Sequence, residues 1–143
     1  MGIAPAITTD SWGVDSKGWL LAKKGMDTCR SITLNLALFV SGDGFTSTIP
    51  SGTVLGKVTA SGLYGPYSDA LTGGQEIATG LLFDGVRLAD SMGNAFTVAG
   101  AAMLWEGIVR RDNLPGLKLP LPTARGKLDA AAEVDLKFIR FER

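Results

Sequence analysis

Residues 49–67, Ile-Pro-Ser-Gly-Thr-Val-Leu-Gly-Lys-Val-Thr-Ala-Ser-Gly-Leu-Tyr-Gly-Pro-Tyr, constrain this chain more than any other stretch. Pro50 and Pro66, with glycines at 52, 56, 62 and 65, exclude a helix, because proline removes a helical donor and glycine is a poor helix former. The apolar residues between them nevertheless alternate as a strand's do. Pro50-Ser51-Gly52 predicts a tight turn, with proline setting the first corner and glycine accepting a positive φ. Val54 to Val58 then reads as a short strand, and Ser61-Gly62 turns it into Leu63-Tyr64. The stretch carries no obvious catalytic group and reads as a rigid β unit.

The flanking sequence extends the β pattern. From Ser31 to Val40, Ile32, Leu34, Leu36, Leu38 and Val40 alternate with Ser31, Thr33, Asn35, Ala37 and Phe39. That period of two predicts a strand with one aliphatic face on the core. Ile77 to Phe83 and Val86 to Leu88 flank Asp84-Gly85, a dipeptide that favours a two-residue hairpin. Phe96 to Val98 and Ala101 to Val109 resume strand character. Leu114 to Pro122, with three prolines, predicts an irregular connection. Leu128 to Glu133 is the one helical signal, marginal without packing, and Val134 to Phe141 reads as a last strand. The pattern is therefore mainly β, in a single domain with one short C-terminal helix.

Residues 1–27 read differently. Gly2, Pro5, Gly13, Gly18 and Gly25 interrupt any period, which predicts an extended N-terminal arm ahead of a domain spanning 28–143. Trp12 and Trp19 lie in this arm. Large aromatics there either anchor on a partner's surface or tuck back onto the domain's own core.

Composition narrows the function. The chain has 143 residues, 45% of them hydrophobic, enough for one domain with a real core. It carries 14 basic and 14 acidic residues. Zero net charge gives no support for nucleic-acid or anionic-membrane binding. Residues 41–107 hold two basic and six acidic side chains and residues 108–143 eight and five, a polarity of −4 against +3 that could orient the molecule on a partner. The absence of histidine removes Ser-His-Asp and Cys-His catalysis and the usual neutral-pH base. Cys29 stands alone, so no intrachain disulfide forms, which fits assembly in a reducing cytoplasm. No secretory signal or membrane-spanning run is expected. Gly52 to Lys57 superficially suggests a phosphate loop, but the spacing is short, Val58 replaces the hydroxyl residue, and the context is a strand. Asp84 and Asp90 sit at turn positions, where aspartate serves backbone geometry. No catalytic residue, metal site or cofactor is expected.

The residues just read also carry a resemblance. The 49–67 stretch, preceded by RSITLNLALFVSGDG and followed by GQEIATGLLFDGV and AAMLWEGIVRRDNLPG, resembles the lambda-type protein D family, the head decoration proteins of tailed bacteriophages. The family's Pro-x-Gly-Thr-Val-Leu-Gly turn and strand falls on Pro50, Gly52, Thr53, Val54, Leu55 and Gly56. Its aromatic-Pro-aromatic segment falls on Tyr64, Pro66 and Tyr67, interrupted here by Gly65. Its two following strands fall on Gly80 to Phe83 and Met103 to Val109, and residues 130–141 are similar to the end of longer members. The resemblance covers about residues 28–141.

It implies a small single-domain β-barrel or β-tulip-like fold with an extended N-terminal arm, and a structural virion protein, not an enzyme, made in the host bacterial cytoplasm. Homotrimers would sit on the outer surface of an expanded capsid at three-fold and quasi-three-fold positions, resisting DNA pressure. The partner would be the phage major capsid protein, with no nucleic acid and no membrane. It would be reached by the arm through Ile7, Thr8, Thr9, Trp12 and Trp19, by strand addition to a sheet edge. A truncation starting near Thr28 is then expected to fold yet decorate shells poorly. Two other classes compete: a β-rich carbohydrate- or surface-binding module displayed on a particle, with Trp105 and Tyr64 as its exposed aromatics, and a small hydrolase using carboxylates alone.

Overall fold

The computed structural model describes residues 18–22, 28–39, 45, 48–90, 92–114 and 125–142. Nine strands and one helix are formed among them: β1 Arg30–Asn35, β2 Thr48–Ile49, β3 Val54–Lys57, β4 Tyr64–Pro66, β5 Ala78–Leu82, β6 Val86–Arg87, β7 Val98–Leu104, β8 Gly107–Arg110, α1 Ala130–Asp135 and β9 Ile139–Glu142. The protein is mainly β with one short C-terminal helix, as the pattern of apolar residues predicts, and five of its strands close into a barrel.

The barrel runs β1-β4-β3-β5-β7, and β7 returns to β1. β1 and β7 pair antiparallel over six residues, from Arg30 opposite Met103 to Asn35 opposite Val98. β3 and β4 form the hairpin centred on the 49–67 stretch, Gly56 opposite Gly65. Its loop closes where Val58 N–H donates to Leu63 at 2.8 Å and Gly62 takes φ 74°. The Pro50 turn also forms, with a shifted register. Thr53 N–H and hydroxyl both donate to the Pro50 carbonyl and Gly52 has φ 93°, so proline opens the turn and Ser51 takes the first corner.

Four expectations are corrected. The first strand ends at Asn35, not Val40. The Asn35 side chain accepts from Ala37 N–H and caps a 3-10 turn over Leu36–Leu38. That turn rotates the chain, so Phe39, assigned to the polar face by period two, is buried against Phe45 in an edge-to-face pair at 5.2 Å. Asp84-Gly85 does not make a hairpin: β6 leaves β5 and pairs antiparallel with β2. Gly85 is not among the positive-φ glycines that such a turn requires. The run from Ala101 to Val109 is two strands, broken at Trp105-Glu106 and redirected by Gly107 at φ 146°. β8 then pairs parallel with β9 in a separate sheet. The helix begins two residues later than expected, because Asp129 caps it through Ala132 N–H at 2.8 Å and Val134 lies inside it.

Two apolar clusters result. One fills the barrel with Ile32, Leu34, Leu36, Phe39, Phe45, Ile49, Leu55, Leu82 and Met103. The other joins the outer faces of β3, β5 and β7, through Val54, Leu81 and Leu104, to Val109, Leu128, Ala132 and Ile139. Adjacent residues such as Met103 and Leu104 are both buried because β7 separates the two clusters. That is why the end of β7 lacks the alternation that Val98 to Ala101 show.

Candidate interaction surface

The motif residues from Pro50 to Tyr67 are brought together, and their role is structural. Gly56 and Gly65 face each other across β3 and β4 beneath Gln75. A Cβ on Gly56 would stand 2.8 Å from the Gln75 backbone, and one on Gly65 would stand 2.6 Å from Leu38 and 2.7 Å from the Gln75 amide. Backbone stands against Gly56, whereas a side chain at Gly65, the glycine that interrupts the aromatic-Pro-aromatic pattern, would displace the ends of the Leu38 and Gln75 side chains. Gln75, which the sequence gives no reason to single out, clamps the hairpin by donating to Pro66 O at 2.9 Å and accepting through its backbone from Ser68 N–H.

Tyr67 is fully buried, and its hydroxyl donates to Asp129 Oδ1 at 2.9 Å. The same carboxylate caps α1, so one contact ties the hairpin to the helix. Burial, and then the hydrogen bond to Asp129, raise the Tyr67 hydroxyl well above the usual phenol range. Gly126 seals the junction, accepting from Val54 N–H and donating to Tyr67 O.

Trp19 belongs to the core, where the arm's other expected reading would have it presented to a partner. Its side chain is 1% exposed, and its indole N–H donates to Ser51 Oγ at 3.2 Å, which in turn donates to Phe83 O at 2.6 Å. The Trp19 carbonyl accepts from Arg110 N–H, and Leu20 bridges antiparallel to Val109. Trp19 and Leu20 therefore pack on the domain expected to begin at residue 28. Ile7, Thr8, Thr9 and Trp12 lie outside the described residues.

What the surface offers a partner is apolar. Phe138, 70% exposed, packs edge-to-face on Trp105 at 5.7 Å, and the Arg30 guanidinium lies 4.9 Å from the Trp105 ring centre. Trp105 N–H is held by Thr28 O at 2.6 Å. Met92, Phe96 and Val98 are exposed around the connection from β6 to β7. Tyr64 does not join Trp105: it pairs with Leu34 at one end of β1, while Arg30 and Trp105 lie at the other, about 13 Å along the strand. The two aromatics do not make one sugar platform.

Asp90 closes its own loop by accepting from Met92 N–H, Asn94 N–H and the Asn94 amide. Hydrogen bonds from Asn94 hold its carboxyl below the usual range. Arg111 Nε donates to Glu133 at 2.8 Å, joining the turn after β8 to α1. Among the described residues, no group of three or more Cys, Asp or Glu side chains could hold a metal ion, and no helix is long and apolar enough to cross a membrane.

The fold and surface define a small β-barrel protein with a structural hairpin and exposed apolar patches. Compared with known protein families, curated proteins and solved structures, the chain matches none.

Proposed function

We propose that this chain is a structural virion protein: a lambda-type head decoration protein that binds the outer face of an expanded phage capsid as homotrimers at three-fold and quasi-three-fold positions. The observation that carries the reading is the assembly of the resembling stretches into one rigid unit. Pro50 to Gly56 form the turn and β3, Tyr64 to Tyr67 form β4 and its exit, Gly80 to Phe83 close β5, and Met103 to Val109 span β7 and β8. Their side chains are spent on mutual packing, as in Gly56 against Gln75 and Tyr67 on Asp129. A clamp resisting outward pressure needs such stiffness more than it needs chemistry.

In this reading the arm upstream of Gly18 reaches the major capsid protein, and the exposed Phe138 and Val134 near α1 are surface for neighbouring copies. Three linked arms raise avidity for the shell even where each contact is weak. The reading as a sugar-binding module is the weaker, because Tyr64 and Trp105 stand apart.

The test is cryo-electron microscopy of expanded, undecorated shells mixed with the purified protein. Added density at three-fold and quasi-three-fold positions is expected. Bare shells at saturating protein, or density confined to other positions, would overturn the reading. Native mass measurement on released protein checks the trimer.

A further inference from the structure

Three large apolar side chains left exposed, Ile77, Val134 and Phe138, lie along one strip at α1. Asp135, next to Val134, accepts from Ala78 N–H at 3.0 Å, which brings Ile77 to the helix. Phe138 follows Val134 by four residues, a span of at most about 14 Å, and meets half-buried Trp105. An exposed apolar strip rimmed by charge marks an interaction site. Here the rim changes sign between Asp135 and Lys137. On the Ile77 side stand Asp69, Glu76, Asp129 and Asp135. After burial and the hydrogen bond to Asp129, the charges of Asp69 and Asp135 add to the upward push on the Tyr67 hydroxyl, so three of these carboxylates gather around one point. Glu76 precedes Ile77 and accepts from Gly74 N–H at 2.7 Å. Among the described residues, none of the four is ion-paired with a base. Counting Lys57 and Lys127 against them leaves four carboxylates facing two ammonium groups, and Glu133 is neutralised by Arg111. On the Phe138 side the excess is basic. Arg30 lies over Trp105 and Lys137 precedes Phe138; among the described residues neither is ion-paired with an acid. Glu106, held by the Thr28 hydroxyl, opposes these two, and Arg140 and Glu142 cancel in their own pair.

We infer that a second copy of this chain covers the strip: the Phe138–Trp105 pair of one copy, with Arg30 and Lys137, seats on the Ile77–Val134 surface of the next, against its acidic rim. Charge complementarity selects that occupant. The chain carries a base-rimmed aromatic end and an acid-rimmed aliphatic end side by side, so a second copy offers each end its complement. Like ends repel, which sets the order of the contact. An aromatic pair with an arginine stacked on it is also where binding energy concentrates in an interface. A contact between two different surfaces of the same chain closes into a ring or runs on as a fibre. For closure at three copies the inference rests on the decoration reading above; the contact itself does not.

Sedimentation velocity and native mass measurement on the full chain, without shells, test the contact. Association is expected at about 100 μM protein, above the micromolar range of modest interfaces. It should weaken at least about tenfold from roughly 0.05 to 0.5 M salt, because rim charges are screened. Lys137→Glu and Phe138→Ser, both at exposed positions, should each weaken it at least about tenfold, whereas Lys137→Arg keeps it within about twofold. Met92→Ser, at an exposed apolar residue away from α1, should leave it unchanged. Unchanged thermal midpoints show that each variant stays folded. A monomer at this concentration overturns the inference. Association that survives both Lys137→Glu and Phe138→Ser, or that Met92→Ser abolishes, overturns it too. The decoration reading fails separately: bare shells beside a charge-dependent trimer remove that reading and keep the contact. A monomer that still fills shell positions removes the contact alone. Charge-dependent dimers keep the contact and remove closure at three copies.

Discussion

Truncating Trp19 to alanine should be among the most damaging single changes in the protein, although residue 19 lies in a segment broken by glycines. The indole is 1% exposed and packs with Val54, Leu81, Val109 and Leu114 in the cluster between barrel and helix. Removing a buried tryptophan costs about 3–5 kcal/mol, from lost transfer energy and the cavity left behind. Against a total stability of about 5–15 kcal/mol for a domain, that is a large share. At roughly 3–4 °C per kcal/mol for a chain of this size, the midpoint should fall by about 10–20 °C. Trp19→Phe keeps most of the packing but loses the donor to Ser51 Oγ. Ser51 still donates to Phe83 O, so the cost should be nearer about 1 kcal/mol. Thermal unfolding followed by circular dichroism, with denaturant titration for the free energy, measures both. A Trp19→Ala midpoint within about 3 °C of the parent would show that this side chain carries no core packing. The boundary of the folded domain would then return to residue 28.

Tyr67→Phe should cost about 1–2 kcal/mol at neutral pH, the loss of one buried hydrogen bond to a carboxylate. The pH dependence has a definite sign. The hydroxyl's folded-state pKa is raised, so its contribution is complete below the unfolded value near about 10 and declines as pH rises above it. Parent stability should therefore fall more steeply than that of Tyr67→Phe above that pH, as measured by urea unfolding at stepped pH; parallel curves would contradict this. Gly56→Ala should destabilise by about 1–3 kcal/mol, since the new methyl meets the Gln75 backbone at 2.8 Å and backbone yields poorly. A neutral result in the same unfolding assay would mean that the 73–77 loop moves freely away from β3.

Local rules made the hairpin legible and left the barrel's closure hidden. Pro50, Gly52 and Gly62 announce turns because their backbone preferences act within four residues, and Val54 to Lys57 between them had only one way to run. The strand order was not legible, because nothing near Val86 says that it will pair with Ile49 across the fold instead of with its neighbour Leu82. Ser31 to Val40 shows where period two misleads. Asn35 is a polar residue on an alternating strand until its side chain caps the next turn, and from there the inward face is Phe39. Gln75 could not have been found from the sequence. Its importance comes from two glycines on two different strands, Gly56 and Gly65, that both leave it space.

Trp19 bears directly on how the arm should be tested. A truncation starting at Thr28 removes the indole, its hydrogen bond to Ser51 and the pairing of Trp19 and Leu20 with β8. Poor decoration by such a protein would then report a damaged fold as readily as a missing arm. A truncation starting at Ser16 leaves those contacts in place and removes Ile7, Thr8, Thr9 and Trp12 alone. It should keep a midpoint far closer to the parent than Trp19→Ala does, yet fill few positions on expanded shells. Full occupancy by this shorter protein, with its fold intact, would remove residues 1–15 from the binding surface and turn attention to the exposed Phe138 and Trp105 instead.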